Sequence, residues 1–266
     1  TSDAGAGIGY TGIRIRGVSA QSTNITINGI PFNDAESHGT YWVNLPDFTS
    51  SIESLQVQRG VGTSTNGAGA FGSSINILTD GISDNPFAEI SNSFGSYDSR
   101  KHTIKFSSGL LNNSFELSGR LSKIDSDGYV DRAFSDLKSY FLQGAYKKGN
   151  TFLKALAFGG YERGYQSWFG LTKDQIKENR RQNPYTYENE IDDYKQDHYQ
   201  VHLNQKLNSN WSTNVGLNYT YGRGYFEQFR EDDDISTYGG IVVSDLDASG
   251  NALGTSDLKS ICLTQD

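Results

Sequence analysis

The sequence predicts an all-β protein, short strand-like runs followed by about seven long antiparallel strands of transmembrane type. Three observations carry that expectation. From about residue 87 onward, apolar and polar residues alternate at strand period over long runs. The 266 residues include 30 Gly, 16 Tyr and 14 Phe but are only 35% hydrophobic, which suits strands with one greasy and one polar face and aromatics gathered in belts. No apolar run approaches the roughly 18 residues of a membrane helix, so any span must be made of strands.

Charge and cysteine usage exclude several classes. A net charge of −8 and a pI near 5.0 leave no basic stripe for phosphate neutralisation, which argues against a nucleic-acid partner. The lone Cys262 excludes an internal disulfide and a multi-cysteine metal site and reads as an incidental thiol. The absence of Met and of a leader pattern predicts that the chain belongs to a longer protein.

Residues 1–12 are glycine-rich and read as a loop. Asn28-Gly29 lies between two apolar-rich runs, the signature of a tight hairpin. Residues 32–42, FNDAESHGTYW, form a loop that brings Asn33, Asp34, Glu36, His38, Tyr41 and Trp42 into close company. Carboxylate and imidazole suit Zn or Fe; the alternative is a solvated turn whose aromatics pack on a neighbouring wall.

Two strand-like runs, 54–58 and 74–78, flank a loop too rich in Gly, Ser, Thr and Asn to hold a helix. Gly67, Gly69 and Gly72 satisfy the G-x-G-x-x-G dinucleotide fingerprint. That fingerprint requires a helix next, with an acidic residue near position 92. A strand-period run follows instead and Asn92 occupies that region, so the nucleotide reading fails.

The long strands are expected at 88–97, 100–109, 114–124, 137–147, 150–161, 196–207 and 211–223. In 114–124, Phe115, Leu117, Gly119 and Leu121 fall on one face, opposite Glu116, Ser118, Arg120 and Ser122. In 196–207, Tyr199, Val201 and Leu203 oppose His198, Gln200 and His202; in 211–223, Val215, Leu217, Tyr219 and Tyr221 oppose Asn214, Asn218 and Thr220. Phe141 falls on the inward face of its strand, and Lys154 alone marks the inward face of 150–161. Connections at 110–113, 147–150 and 208–210 are short, whereas those at 125–136, 162–195 and from 224 are long. Short turns on one side and long loops on the other are how outer-membrane barrels are built.

Within 162–195, Thr172 and Gln175 fit a capping box, predicting a helix over 173–182 that ends before Pro184. Tyr165, Trp168 and Phe169 precede it, either to stack on a sugar ring or aromatic siderophore or to fold the loop. The acidic runs 188–193 and 231–234 read as solvated loop charges. Asp245, Asp247, Ser249 and Gly250 imitate an EF-hand opening, but Ser256 stands where the bidentate Glu belongs, which leaves a turn.

IRIRG (13–17), ITINGIPFND (25–34) and a third block containing Glu53, Leu55, Val57, Arg59, Gly60, Gly67, Gly69, Gly72, Asn76 and Ile77 follow one another in a familiar order. Together they resemble the plug domain of TonB-dependent outer-membrane receptors, in wording (YWVNLPDF, GVGTSTNGAGAFG) that of the Bacteroidetes branch. The resemblance implies the C-terminal part of a plug over 1–80, a small mixed sheet with its first strand at 13–18, and the first strands of a barrel of about 22 over 81–266. Outer loops would then lie at 125–136, 162–195 and 224–266, with the TonB-contacting segment absent.

By the same resemblance the protein resides in the bacterial outer membrane and imports a scarce nutrient: a ferric siderophore, cobalamin, glycan or peptide. The ligand floor would be Asn33, Asp34, His38, Tyr41 and Trp42, with Tyr165, Trp168 and Phe169 above it. Arg14, Arg16, Glu53 and Arg59 would lock plug to barrel. The implied partners are TonB, a small nutrient ligand, outer-membrane lipid and lipopolysaccharide, and a surface lipoprotein. No catalytic residue, metal or cofactor is expected. A surface glycan-binding sheet without transport is the alternative.

Overall fold

The computed structural model describes residues 7–60 and 71–229 in full, and short strands at 244–246, 252–255 and 261–265 by their backbone. Gly67, Gly69, the 231–234 run and the side chains of the EF-hand-like segment and Cys262 lie outside the described residues.

A four-stranded mixed sheet comes first: β1 (Thr23–Ile27), β2 (Ile30–Pro31), β3 (Ile52–Arg59) and β4 (Ser73–Thr79), in the order β2-β1-β4-β3, with β1 parallel to β4. The β1–β2 hairpin turns at Asn28 and Gly29, both at positive φ (55° and 80°), the conformation a two-residue I′ turn demands. As the inner strand, β4 is buried along most of its length. Its polar side chains are paired, Ser73 with Thr23 at 2.9 Å and Asn76 with Thr26 at 2.8 Å.

The strand expected at 13–18 is not formed. Arg16 and Gly17 both adopt positive φ, and the Val18 N–H donates to the Ile15 carbonyl at 3.1 Å, so the segment is a pinched reverse turn. Ile13 and Ile15 nevertheless both pack against the core. The backbone reverses because two consecutive residues take left-handed conformation, which hydropathy does not report.

The second sheet follows: β5 (Pro86–Phe94), β6 (Arg100–Ser108), β7 (Phe115–Ser126), β8 (Ser135–Lys148), β9 (Thr151–Tyr165), β10 (Ile191–Lys206) and β11 (Ser212–Gln228), each antiparallel to the next. A helix, α1 (Lys173–Glu178), lies in the β9–β10 connection. β12 (Ser244–Leu246) pairs with β13 (Ala252–Thr255) as a separate hairpin, and β14 (Ile261–Gln265) extends the main sheet beside β11. The region expected to be loop from 224 therefore carries the end of β11 and three more strands.

Outer connections are shorter than predicted at 127–134 and 166–190, because strand pairing continues into segments polar on both faces. The helix keeps its capping box, with the Thr172 N–H donating to Gln175 at 2.8 Å. It stops at Asn179 rather than 182, where the Asn side chain accepts the Arg181 N–H and turns the chain.

The two faces of the large sheet have opposite chemistry. Leu117, Leu121, Val201, Val215 and Leu217 point away from the first sheet and stay exposed, Leu217 at 63%, whereas Glu116, Ser118, Arg120 and Ser122 are buried against it. In a water-soluble protein this arrangement would be inside out; in a bilayer the apolar side faces hydrocarbon. Toward the long connections the apolar band gives way to tyrosines (Tyr140, Tyr161, Tyr199, Tyr221) and then to outward ion pairs, Lys123–Asp125 at 2.9 Å, Lys138–Asp136 at 3.4 Å and Lys195–Asp197 at 3.0 Å. Trp211, 70% exposed, marks the opposite edge. No helix among the described residues is long and apolar enough to cross a membrane.

One apolar cluster joins the sheets. Ile25, Ile27, Ile75 and Ile77 of the first, with Leu45 and Phe48 from its β2–β3 connection, meet Phe141, Leu156 and Phe158 of β8 and β9, with Phe48 and Phe158 ring centroids 5.2 Å apart. Phe141, inward as expected, is one of the large sheet's three contributions. Gly160 permits the approach: a Cβ there would collide with the Asn44 carbonyl oxygen and with Cδ of Pro46.

Candidate functional site

Around the apolar cluster the small sheet is held by a polar seam. Asp47, in left-handed conformation at φ 53° after Pro46, aims its carboxylate into the inward face of β6 and β7. It accepts hydrogen bonds from Lys101, Ser122, Thr103 (3.0 Å) and Ser50 (2.6 Å) and meets Arg120 at 3.3 Å. Arg120 also donates to Ser51 at 2.8 Å and Ser139 at 3.0 Å. Burial pushes the Asp47 carboxyl up, but the bonds from Lys101, Ser122 and Ser50 and the Arg120 charge outweigh it and hold it below the ordinary 3.8.

A second group of contacts fastens the stretch between β4 and β5. Lys105 pairs with Asp80 at 2.7 Å, and Lys154 donates to Thr79 Oγ1 at 2.9 Å and the Asp80 carbonyl at 2.8 Å. Glu116 accepts from the Ser83 N–H, Ser107 and Gln143. Asn28 bridges the hairpin to both sheets, accepting from Thr79 and donating to Gln200 at 3.2 Å.

Acids on the small sheet thus meet bases on the wall. Arg14, Arg16, Glu53 and Arg59, by contrast, are exposed and form no ion pair among the described residues. Arg120 had been placed on the inward face by alternation, whereas nothing in the local pattern around Asp47 announced its role. Its geometry comes from a left-handed turn 54 to 75 residues distant from its partners.

Between residues 30–44 and the upper parts of β9, β10 and β11 lies a cleft of about 1070 Å³. Of the residues expected to hold ligand, Asn33, Asp34, Tyr41 and Trp168 line it. Asn33 is committed to the fold: its Oδ1 accepts the Ile25 N–H at 2.7 Å and its Nδ2 donates to the Thr23 and His38 carbonyls, both at 2.9 Å. Asp34 caps its own turn through the N–H groups of Ser37 and Glu36 and the Ser37 hydroxyl. The Ser37 backbone bond, followed by its hydroxyl, holds the Asp34 carboxyl below its usual value.

The remaining candidates lie elsewhere. His38 sits at positive φ on the turn and does not line the cleft. Trp42 packs against the apolar cluster. Tyr165 is buried, donating to the Tyr187 carbonyl at 2.5 Å, and Phe169 stacks on Tyr185 at 5.2 Å. Trp168 ties distant parts together, edge-on to Tyr10 at 5.7 Å and to Phe226 at 6.1 Å. Asp34, Glu36 and His38 do not converge as metal ligands, and no group of three or more metal-ligating side chains occurs among the described residues.

Sequence reasoning did not single out Glu162, Asp192, Tyr194 and His198, which also line the cleft. Glu162, Asp192 and Tyr194 fell in the connection expected at 162–195, Asp192 within the acidic run read as solvated charges, and β9 and β10 extend to include them; His198 drew attention only to periodicity. His198 is fully engaged, with Thr220 at 3.0 Å, Gln196 at 3.2 Å and the Phe158 ring at 4.9 Å.

Residues 1–74 match the family model described as TonB-dependent Receptor Plug Domain. No curated protein matches the chain by sequence. Among solved structures, the chain is similar to the unliganded ferric citrate transporter FecA, with TM-score 0.71 and 16% identity, over 86% of this chain and 36% of that one. It is also similar to the open form of the ferric-catecholate import receptor Fiu from E. coli K12, with TM-score 0.66 and 17% identity, over 97% and 39%. A third is the siderophore receptor PiuA from Acinetobacter baumannii, with TM-score 0.64 and 14% identity, over 87% and 35%. The chain therefore spans somewhat over a third of the length of each of these structures. Residues 1–74 thus carry a plug domain of the TonB-dependent receptor type, and the chain as a whole has the fold of a plug segment joined to barrel strands in these receptors.

Proposed function

We propose that this chain serves TonB-dependent active import of a scarce nutrient across the bacterial outer membrane, its plug occupying the barrel lumen until TonB pulls on it. The observation that carries the reading is the seating of the plug: acids of a compact module are hydrogen-bonded to bases on the polar side of a sheet whose other side is apolar. That combination gives a stopper in a membrane pore. The neighbours named for ferric citrate, ferric catecholates and siderophores make iron chelates one cargo class, beside cobalamin, glycans and peptides.

A surface glycan-binding sheet would present a solvated outer face, and the exposed band through Leu117, Val201 and Leu217 speaks against it. The test is accumulation of labelled nutrients in cells carrying or lacking the full-length gene, with and without TonB. Uptake that needs both is the expected outcome; a protein recovered only from soluble fractions would overturn the reading.

A further inference from the structure

The wall of the cleft has a one-sided charge. Asp34, Glu36, Glu162 and Asp192 line it, and among the described residues no Lys or Arg does. Asp34 is occupied by its own turn. Glu162 is different: its residue is only 4% exposed, it borders the cleft, and no described residue gives it a hydrogen bond or an ion pair. Asp192, similarly without a partner, is its diagonal neighbour, since Glu162 faces Tyr194 and Asp192 faces Gly164 across the β9–β10 ladder.

A buried carboxylate without a counter-charge is costly to keep ionised, and two on one face repel each other. A ligand that brings a positive hydrogen-bond donor relieves both costs. An anionic ligand would add negative charge where no described base compensates it. A bare metal ion would need ligands that do not assemble there, since no metal-binding group occurs among the described residues. Tyr10, Tyr41, Trp168, Tyr194 and Phe226 line the same cleft and supply π faces that favour organic cations.

We propose that the cleft receives a ligand bearing a protonated amine or guanidinium, seated on Glu162 with Asp192 beside it. The inference rests on the importer reading and narrows its cargo to ligands that carry a cationic group.

The test uses the full-length receptor in lipid nanodiscs and calorimetric titration with the tripeptides Tyr-Lys-Tyr, Tyr-Gln-Tyr and Tyr-Glu-Tyr and with ferric citrate. The Lys peptide is expected to bind about tenfold tighter than the Gln peptide, as a charge-assisted bond requires, and the Glu peptide weakest. Glu162→Gln should abolish the Lys-over-Gln preference while leaving the Gln peptide within about twofold. Binding of the Glu peptide or ferric citrate as tight as that of the Lys peptide, no binding of the Lys peptide, or undiminished discrimination in E162Q would overturn the proposal. The two readings separate in cells. TonB-dependent uptake of ferric citrate would sink the cation preference and keep the importer, whereas TonB-independent accumulation of the Lys peptide would do the reverse.

Discussion

The carboxylate of Asp47 and the guanidinium of Arg120 meet at 3.3 Å between plug and wall, each side chain 1% exposed. They lie 73 residues apart in sequence, so their encounter reports the docking of one sheet on the other. Because Arg120 cannot shed its charge, the pair acts as a fixed point of the seam.

Asp47→Asn leaves Arg120 and Lys101 facing a neutral amide in a dry site. Breaking one side of such a pair costs about 3 kcal/mol. The expected result is a lower urea midpoint for plug release in the full-length receptor, read by protease accessibility of residues 30–44. The double variant D47L/R120M should recover much of the loss.

Acid should loosen the same contact. The Asp47 carboxyl is held below the ordinary 3.8, so its stabilisation is complete above the unfolded value and is lost as pH falls through the folded one. Plug protection should be flat from neutral pH to about 5 and decline below about 4. In D47N this acid limb should be missing, which urea titration of plug release at each pH can show.

Gly160→Val inserts a branched side chain where the Asn44 carbonyl and Pro46 already touch the strand. The 42–48 turn must move away from β9, carrying Asp47 with it. Overpacking of this kind costs about 1–3 kcal/mol, and the expected signature is raised single-channel conductance of reconstituted receptor. Gly170→Val, at an open position, should conduct like the unaltered protein.

Leu217→Arg tests sidedness. On a lipid-facing strand the substitution should lower folding stability in vesicles by about 2–4 kcal/mol near mid-bilayer, measured by reversible denaturant titration. A change below about 0.5 kcal/mol would be the value of an ordinary wet surface.

Much of this fold was legible because strand alternation is strict where lipid and lumen lie on opposite sides, as in β7 and β11. The Asn28-Gly29 hairpin and the Thr172 capping box were equally plain, since each is chemistry within four residues. Residues 13–18 misled because Arg16 and Gly17 reverse a segment whose apolar spacing still looks extended. The extra length of β9 and β10 was hidden by polar residues on both faces. Of the cleft, Trp168 and Tyr41 could be read as loop aromatics, but Glu162 fell in the expected loop, and only the extension of β9 to Tyr165 turns it inward. Asp47 was invisible because its five partners come from three separate segments, its own turn, β6 and β7.

Most of the wall behind the plug is made of serine, threonine, glutamine and charged side chains. The neutral groups among them bond to solvent about as readily as to protein, so water entering behind the small module replaces most of what they lose on separation. Phe48 on Phe158 is different, because wetting those rings gains nothing. On the proposed import reading, the closure is a greasy button in a hydrophilic sleeve, and the force of opening it is set by that button together with the buried Asp47–Arg120 pair.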